Sequence, residues 1–289
     1  VLLVGDIDRG GVFAQLYGTA ALVSDRERAR IRAFIINKFR GDKEILKPGL
    51  SMLYERCPIP VAGVVPYMDV DLDDEDSLAD RLSAKDTAVD RQGRKAFARI
   101  AVVRLPRLSN FTDFNALEQL PGVALYYADR PEELSAADLV ILPGTKNTMG
   151  DLKWLRETGM EAAVQRQYAE GSFVFGICGG FQMLGTWLSD PFGVEGGGAL
   201  RGMGLLPVET VFSREKTRTR VRGTASVFEA WGGPARPGFT GYEIHMGETR
   251  RTGGQPCVGI RKELEPDGAA LKEDGCIQGH AAGTYVHGF

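Results

Sequence analysis

Cys178 stands in the stretch Gly176-Ile177-Cys178-Gly179-Gly180-Phe181-Gln182, with one glycine two residues before it and another two after. That spacing is the pattern of a nucleophile elbow, a tight strand-to-helix turn, with sulfur in place of a serine oxygen. The glycines follow from sterics, because the strained backbone of the nucleophile leaves no room for Cβ atoms on its neighbours. The chemistry expected of such a thiol is attack on a carbonyl carbon, with the N–H of Gly179 held out to the resulting oxyanion. A helix starting directly after the thiol would also favour the thiolate. The competing reading is a small buried hydrophobe, which is what most free cysteines are. Paired glycines at a strand–helix junction weigh against it.

A cysteine nucleophile needs a base, and the chain has only three histidines, His245, His280 and His287. His287 follows the strand-like Gly283-Thr284-Tyr285-Val286, which would deliver it to a sheet end. His245 lies two residues from Glu243, so the two share a strand face, as an orienting carboxylate would require. His280 sits among glycine and alanine in a loop. Spacing alone does not choose between His245 and His287. The Pro143-Gly144-Thr145 turn follows another apolar strand and would lie beside the elbow. Gly144 is then either a second oxyanion donor or simply a turn residue.

The elements that must position these groups alternate. Leu139–Leu142 and Ser172–Phe175 are short apolar runs of the buried-strand type, and Phe181, Met183, Leu184, Trp187 and Leu188 recur at helical spacing after the elbow. Strands at Arg99–Val103 and Val123–Tyr127 and helices at Met149–Arg156 and Met160–Ala169 complete an α/β unit, and the chain turns β-rich from Leu205 onward. A first α/β unit precedes it: strands Val1–Val4, Ala33–Ile36 and Val61–Val65, a helix bearing Val12, Leu16, Ala20 and Val23 on one face, and another around Ile45–Glu55. Such alternation implies a parallel, doubly wound sheet whose ligands bind at the carboxyl ends of the strands. Asp6, Asp8, Asn37, Lys38 and Asp42 fall at such ends and suit a nucleotide and magnesium site; as turn initiators they would need no function. No G-x-x-x-x-G-K-[ST] occurs, so a phosphate loop would have to lie upstream. The acidic run Asp69–Asp76 reads as solvated. Arg218, Arg220 and Arg222 share one strand face and read as a solvated edge strand or as an attractor of an acidic substrate.

At 289 residues the length suits two domains, and 43% hydrophobic with 25% charged residues is ordinary for a globular protein. A net charge of -3 speaks against nucleic acid as a partner, and no apolar run is long enough to cross a membrane. Cys57, Cys178, Cys257 and Cys276 show no metal-type spacing, which indicates a reducing cytoplasm. The chain opens inside a strand without methionine, and the expectation is a piece of a longer protein.

Together these stretches resemble one family. The elbow is similar to the nucleophile turn of class I (triad-type) glutamine amidotransferases. Gly5-Asp6-Ile7-Asp8-Arg9-Gly10-Gly11, Ile36-Asn37-Lys38-Phe39-Arg40-Gly41-Asp42, Gly241-Tyr242-Glu243-Ile244-His245 and Gly283-Thr284-Tyr285-Val286-His287-Gly288 resemble the cobyric acid synthase family of cobalamin biosynthesis across essentially the whole chain. The resemblance implies an α/β protein of two domains. Residues 1–83 would be the C-terminal part of a dethiobiotin-synthetase-like, P-loop-type synthetase domain, 84–97 a linker, and 98–289 a flavodoxin-like glutamine amidotransferase domain with a β-rich C-terminal part. It implies ATP, Mg2+ and glutamine as co-substrates, and amidation of four carboxylates of adenosylcobyrinic acid a,c-diamide. Small molecules are thus the implied partners, with self-association left open. Cys178 matches the nucleophile, His287 the base, Gln182 a glutamine contact and Asn37 an adenine contact; Asp6, Asp8 and Lys38 would hold the metal and nucleotide. The family's usual Glu two residues after the histidine is replaced by Phe289, which leaves a dyad or another orienting carboxylate, with Glu243 the candidate. The alternatives are a cobyrinic acid a,c-diamide synthase-like amidotransferase, a stand-alone Cys-His hydrolase and a non-catalytic ATP-driven switch.

Overall fold

The structure is a computed structural model that describes residues 1–68, 89–233, 236–266 and 268–288. Two units separate, Val1–Leu72 and Asp73–Phe289. The acidic run 69–76, most of the first half of the expected linker and Phe289 lie outside the described residues.

The first unit is a parallel sheet in the order β1-β2-β3, formed by β1 (Leu2–Asp6), β2 (Ala33–Phe39) and β3 (Val61–Pro66). Between β1 and β2 lie α1 (Val12–Leu22) and the single turn α2 (Asp25–Arg28). Val12, Leu16 and Ala20 recur every four residues, one helical face, and are buried against Phe34 and Ile36. Val23, expected on that face, falls just past the helix as its C-cap. After β2, a 3-10 turn (Lys43–Leu46) leads into α3 (Lys47–Arg56). The Asp42 carboxylate caps that turn, accepting from the Glu44 N–H at 2.9 Å, so this residue of the strand-end cluster has a local structural partner.

The second unit holds two sheets. The first comprises β4 (Ala98–Val103), β5 (Val123–Ala128), β6 (Leu139–Leu142), β7 (Phe173–Ile177), and, from the end of the chain, β14 (Cys276–Gln278) and β15 (Ala281–Thr284). Their order is β14-β15-β7-β6-β4-β5, parallel except for β14. The helices α4 (Asn115–Glu118), α5 (Thr148–Glu157) and α6 (Met160–Glu170) connect these strands, and α7 (Gly179–Leu184) follows β7. Val102, Val140, Leu142 and Val174 are fully buried beneath them, as strands covered on both faces must be. The strand order reverses at β4, so the carboxyl ends of β4, β6, β7 and β15 converge on one crevice, the usual ligand position in such sheets.

The second sheet contains β8 (Trp187–Asp190), β9 (Gly198–Arg201), β10 (Val208–Ala225), β11 (Gly238–Arg251), β12 (Val258–Lys262), β13 (Lys272–Asp274) and β16 (Val286–His287), with the short helix α8 (Val227–Ala230) after β10. Its path is β13-β12-β10-β11-β16, with β8 paired to β10 and to β9. Here the expected helix after the elbow is corrected: α7 ends at Leu184, and Trp187 and Leu188 belong to β8. Gly185 lets the chain leave the helix beside β10. A Cβ there would stand 2.7 Å from the Val208 carbonyl oxygen, and the next N–H, of Thr186, bonds to that same oxygen at 2.8 Å.

Residues 89–97, the part of the expected linker that is described, fold onto this unit. Val89 bridges Lys95. The buried Asp90 carboxylate accepts from the Gly122 N–H at 2.8 Å and from Arg94 Nε at 2.7 Å.

Candidate active site

Strand β7 runs straight into Cys178, whose φ of 53° and ψ of −108° lie outside the helix, strand and left-handed basins. The elbow glycines are sterically required. A Cβ on Gly176 would come within 2.7 Å of the Gly180 and Phe181 backbone, and one on Gly180 would collide with the Leu142 carbonyl of β6. Glycine at both positions therefore lets β7 turn into α7 against its neighbouring strand while presenting the thiol. The Cys178 Sγ donates to the Ile244 carbonyl oxygen on β11 at 3.4 Å. Burial pushes the thiol up to about 12, against the opposing pull of the Gly179 N–H, while the carboxylates of Asp113, Glu195 and Asp274 reinforce the rise. Helix polarity alone does not yield a resting thiolate here. Burial outweighs it, and a base must take the proton.

Strand β15 carries the chain to His287, one strand away from Cys178 in the first sheet and paired in the second sheet with Tyr242 of β11. The imidazole is 1% exposed and stacks on the Tyr242 ring, centroids 5.2 Å apart. Its Nδ1 donates to Asp113 Oδ2 at 2.7 Å, and the other oxygen of that carboxylate accepts the Gly288 N–H at 3.1 Å. Asp113 sits in the 3-10 turn Phe111–Phe114 that follows β4. With Nδ1 carrying the proton, Nε2 keeps its lone pair. Asn110, in left-handed conformation (φ 55°), places its amide nitrogen 3.1 Å from Nδ1 and 3.3 Å from Nε2.

Cys178 and His287 line one cavity of about 330 Å³. The turn after β6 lies against both strand ends: a Cβ on Gly144 would meet His287 Cε1 at 3.2 Å, and one on Gly179, next to Cys178, would meet the Thr145 backbone N at 3.3 Å. The Gly144–Thr145 turn of β6 and the start of α7 thus face the same space. Gln182 is buried at the floor, its Oε1 accepting from Thr148 Oγ1 at 3.0 Å and its Nε2 donating to the Met246 carbonyl at 3.1 Å and Tyr285 OH at 3.0 Å. That amide is fully engaged by the protein and ties α5, α7 and β11 together. Three charged side chains stand at the cavity wall: Glu195, Lys146 and Lys216. Glu195 is placed by Asp190, whose carboxylate accepts the N–H groups of Val194, Glu195 and Gly197 at 2.7–2.9 Å. The Glu195 carboxylate in turn accepts the Met149 N–H at the start of α5 at 2.8 Å, and burial raises its pKa.

Residues 99–289 match the family model of the CobB/CobQ-like glutamine amidotransferase domain. The chain belongs to that family. It is also 53% identical over its full length to a cobyric acid synthase of Ruminiclostridium cellulolyticum, of which it covers 55%. To the cobyric acid synthases of Lachnoclostridium phytofermentans and Desulforudis audaxviator it is 48% and 49% identical, covering 57% and 55% of them. The chain therefore spans little more than half the length of the curated relatives it matches.

In this family member Glu243 lies beside His245, and His245 lines the same cavity as Cys178 and His287. Glu243 Oε1 is 4.0 Å from His245 Nε2; the His245 ring stacks on Tyr285 at 3.7 Å, and its Nδ1 faces the Gly247 carbonyl at 3.1 Å. Burial lowers the His245 pKa and raises that of Glu243. The carboxylate on His287 is that of Asp113. Asp113, Asn110 and Glu195 are the site residues that sequence reasoning passed over. The local signal was partial: Asn110 and Asp113 directly follow the β4 strand, and Glu195 follows the turn-forming Asp190-Pro191.

In the first unit, Asp6, Asp8, Asn37 and Lys38 cluster at the carboxyl edge of β1 and β2. Lys38 Nζ bonds Asp6 Oδ2 at 2.9 Å and keeps the Asp6 carboxyl low. Arg40 bonds Asp8 at 3.1 Å and lies over the Tyr67 ring. Asn37 is the strand partner of Asp6. Among the described residues no helix is long and apolar enough to cross a membrane.

Proposed function

We propose that the chain is the glutaminase-bearing part of an ATP- and glutamine-dependent amidotransferase of the cobyric acid synthase type, acting in the cytoplasm. What carries the reading is the Cys178–His287–Asp113 relay opening into a cavity whose charged lining is one carboxylate and two lysines. Such a lining complements an α-amino acid zwitterion: Glu195 for the ammonium group, Lys146 and Lys216 for the carboxylate.

Catalysis proceeds in two half-reactions. The Cys178 proton passes to His287 Nε2 as sulfur attacks the side-chain carbonyl of glutamine, and the oxyanion is met by the N–H groups of Gly179 and the Gly144–Thr145 turn. Asp113 accepts Nδ1–H throughout, which fixes the tautomer and stabilises the imidazolium. The C–N bond breaks as the imidazolium gives its proton to the leaving ammonia. A water molecule, deprotonated by the same Nε2, then cleaves the glutamyl thioester to glutamate and free thiol. Ammonia would go to a peripheral carboxylate of adenosylcobyrinic acid a,c-diamide. ATP with Mg2+ supplies the activation of that carboxylate. The paired carboxylates at a parallel-sheet edge suit a hard cation: Asp6 and Asp8 would hold the metal, with Lys38 and Asn37 at the phosphates and the base.

An electrophilic glutamine analogue, followed by mass spectrometry, tests the site. Labelling should fall on Cys178, be blocked by excess glutamine and vanish in Cys178→Ala. Labelling that glutamine does not block would instead indicate a hydrolase of another substrate. Comparison of corrinoid acceptors then separates this activity from that of a cobyrinic acid a,c-diamide synthase.

A further inference from the structure

Glutamine and its hydrolysis product glutamate carry the same α-amino acid zwitterion and differ only at the carboxamide nitrogen, which glutamate replaces with a carboxylate oxygen. Glu195, Lys146 and Lys216 would face groups that the two share. The oxyanion donors at Gly179 and the Gly144–Thr145 turn would take an oxygen from either. Reading the amide nitrogen requires hydrogen-bond acceptors beside the base, because its N–H groups donate and a carboxylate oxygen cannot.

Asn110 stands in that position. It lines the Cys178 cavity together with His287. Its left-handed backbone is one that asparagine tolerates, and its carbonyl accepts the Asp113 N–H at 3.0 Å. The turn that delivers Asp113 to the imidazole therefore also sets Asn110. The Asn110 amide nitrogen is nearly equidistant from the two ring nitrogens, at 3.1 and 3.3 Å. In the ring plane such a point would press into Cε1 between them, so the amide lies against the ring face and leaves the Nε2 lone pair open. The ring is already held by Asp113 at Nδ1 and by the stacked Tyr242. What remains unused is Asn110 Oδ1, which accepts no hydrogen bond among the described residues. A second acceptor faces the same cavity. Strand β16 pairs with β11 only at Tyr242 and Glu243, so the Ile244 carbonyl lies just past that pairing, where the Cys178 thiol occupies it at rest.

We propose that Asn110 selects carboxamide over carboxylate: its Oδ1 accepts one N–H of the glutamine side chain, and the Ile244 carbonyl accepts the other once Cys178 has given up its proton. The inference deepens the glutaminase reading above and rests on it. As the C–N bond breaks, Nε2–H supplies the third hydrogen of ammonia while Asn110 keeps its bond to the departing nitrogen. After the thioester is hydrolysed, glutamate brings a carboxylate oxygen to the same place. Two acceptors then oppose it, which favours release of the product and rejects its return.

The test compares the whole chain with Asn110→Gly and Asn110→Asp, on glutamine and on the γ-methyl ester of glutamate, which offers the same carbonyl but no N–H. Glycine keeps the left-handed backbone without the amide, and aspartate keeps an acceptor oxygen. The measured quantity is kcat/KM, which reports acylation of Cys178 and not the later hydrolysis of the thioester. Asn110→Gly should lose about tenfold on glutamine relative to the ester. Asn110→Asp should keep the amide-to-ester ratio of the unmodified chain, whatever its absolute rate. An equal fall on both substrates in Asn110→Gly would make Asn110 a positioning residue for His287 and overturn the proposal, as would no fall on either. A ratio lost equally in both variants would overturn it too, by moving the role to the amide nitrogen. An unmodified chain that hydrolyses the ester but not glutamine would instead strike the amidotransferase reading on which the proposal rests.

Discussion

His287 and His245 both line the Cys178 cavity, and each has a carboxylate beside it. The two pairs differ in how the carboxylate arrives. Glu243 precedes His245 by two residues on the same strand, so the two side chains leave the backbone in parallel and run alongside each other. They approach no closer than 4.0 Å, and the His245 Nδ1 is already taken up by the Gly247 carbonyl. Asp113 comes from a different loop, 174 residues away in sequence, and meets the His287 ring end-on at 2.7 Å. A backbone carbonyl on Nδ1–H can fix a tautomer, but only the second arrangement sets a carboxylate in direct hydrogen bond to the ring, where it also stabilises an imidazolium. Here the carboxylate that does so comes from outside the strand that carries the histidine.

The sharpest way to break this comparison is to remove one carboxylate at a time. Asp113→Asn keeps the shape but offers an amide to Nδ1, so the wrong tautomer competes. We expect glutamine hydrolysis to fall on the order of a thousandfold, with His287→Gln at least as severe. A loss of less than tenfold in a folded Asp113→Asn protein would remove Asp113 from the relay and reopen the dyad reading.

The thiol gives the next largest effect. Burial pushes Cys178 up to about 12, so in the absence of substrate its alkylation by iodoacetamide should climb roughly tenfold per pH unit from pH 7 to 9. A plateau below pH 8 would show that a cation already stabilises the thiolate at rest. His287 would then form a standing ion pair with Cys178, and proton transfer during attack would not be needed.

Much of this was legible in the residues. Gly176 and Gly180 announced the elbow because only glycine survives the contact with α7 and with Leu142. The period-four burial of Val12, Leu16 and Ala20 was equally readable, since each helix face reports on itself. What resisted was long-range. The Asp113–His287 contact depends on β4 and β15 reaching the same sheet edge with β6 and β7 between them, and no local pattern encodes that order. Gly185 misled for a related reason. A helical repeat through Leu188 was locally sound, but pairing of β8 with β10 offered those residues a sheet instead.

The smallest effect concerns the pair that should not matter to the chemistry. Glu243→Gln is expected to change glutamine hydrolysis by no more than about threefold, since His245 moves no proton in the relay. Its signature lies in stability. Burial raises the Glu243 carboxyl above its usual value, so the folded state binds the proton more tightly than the unfolded one. The wild-type residue therefore loses stability as pH rises from the unfolded pKa toward the folded one. Glutamine, which mimics the neutral acid, escapes that loss. Glu243→Gln should melt higher than wild type at pH 7, and the difference should shrink toward pH 4.5. A variant that melts lower at pH 7 would mean that Glu243 is ionised and paired. His245 would then be an imidazolium, and the two histidines would differ less than their geometry indicates.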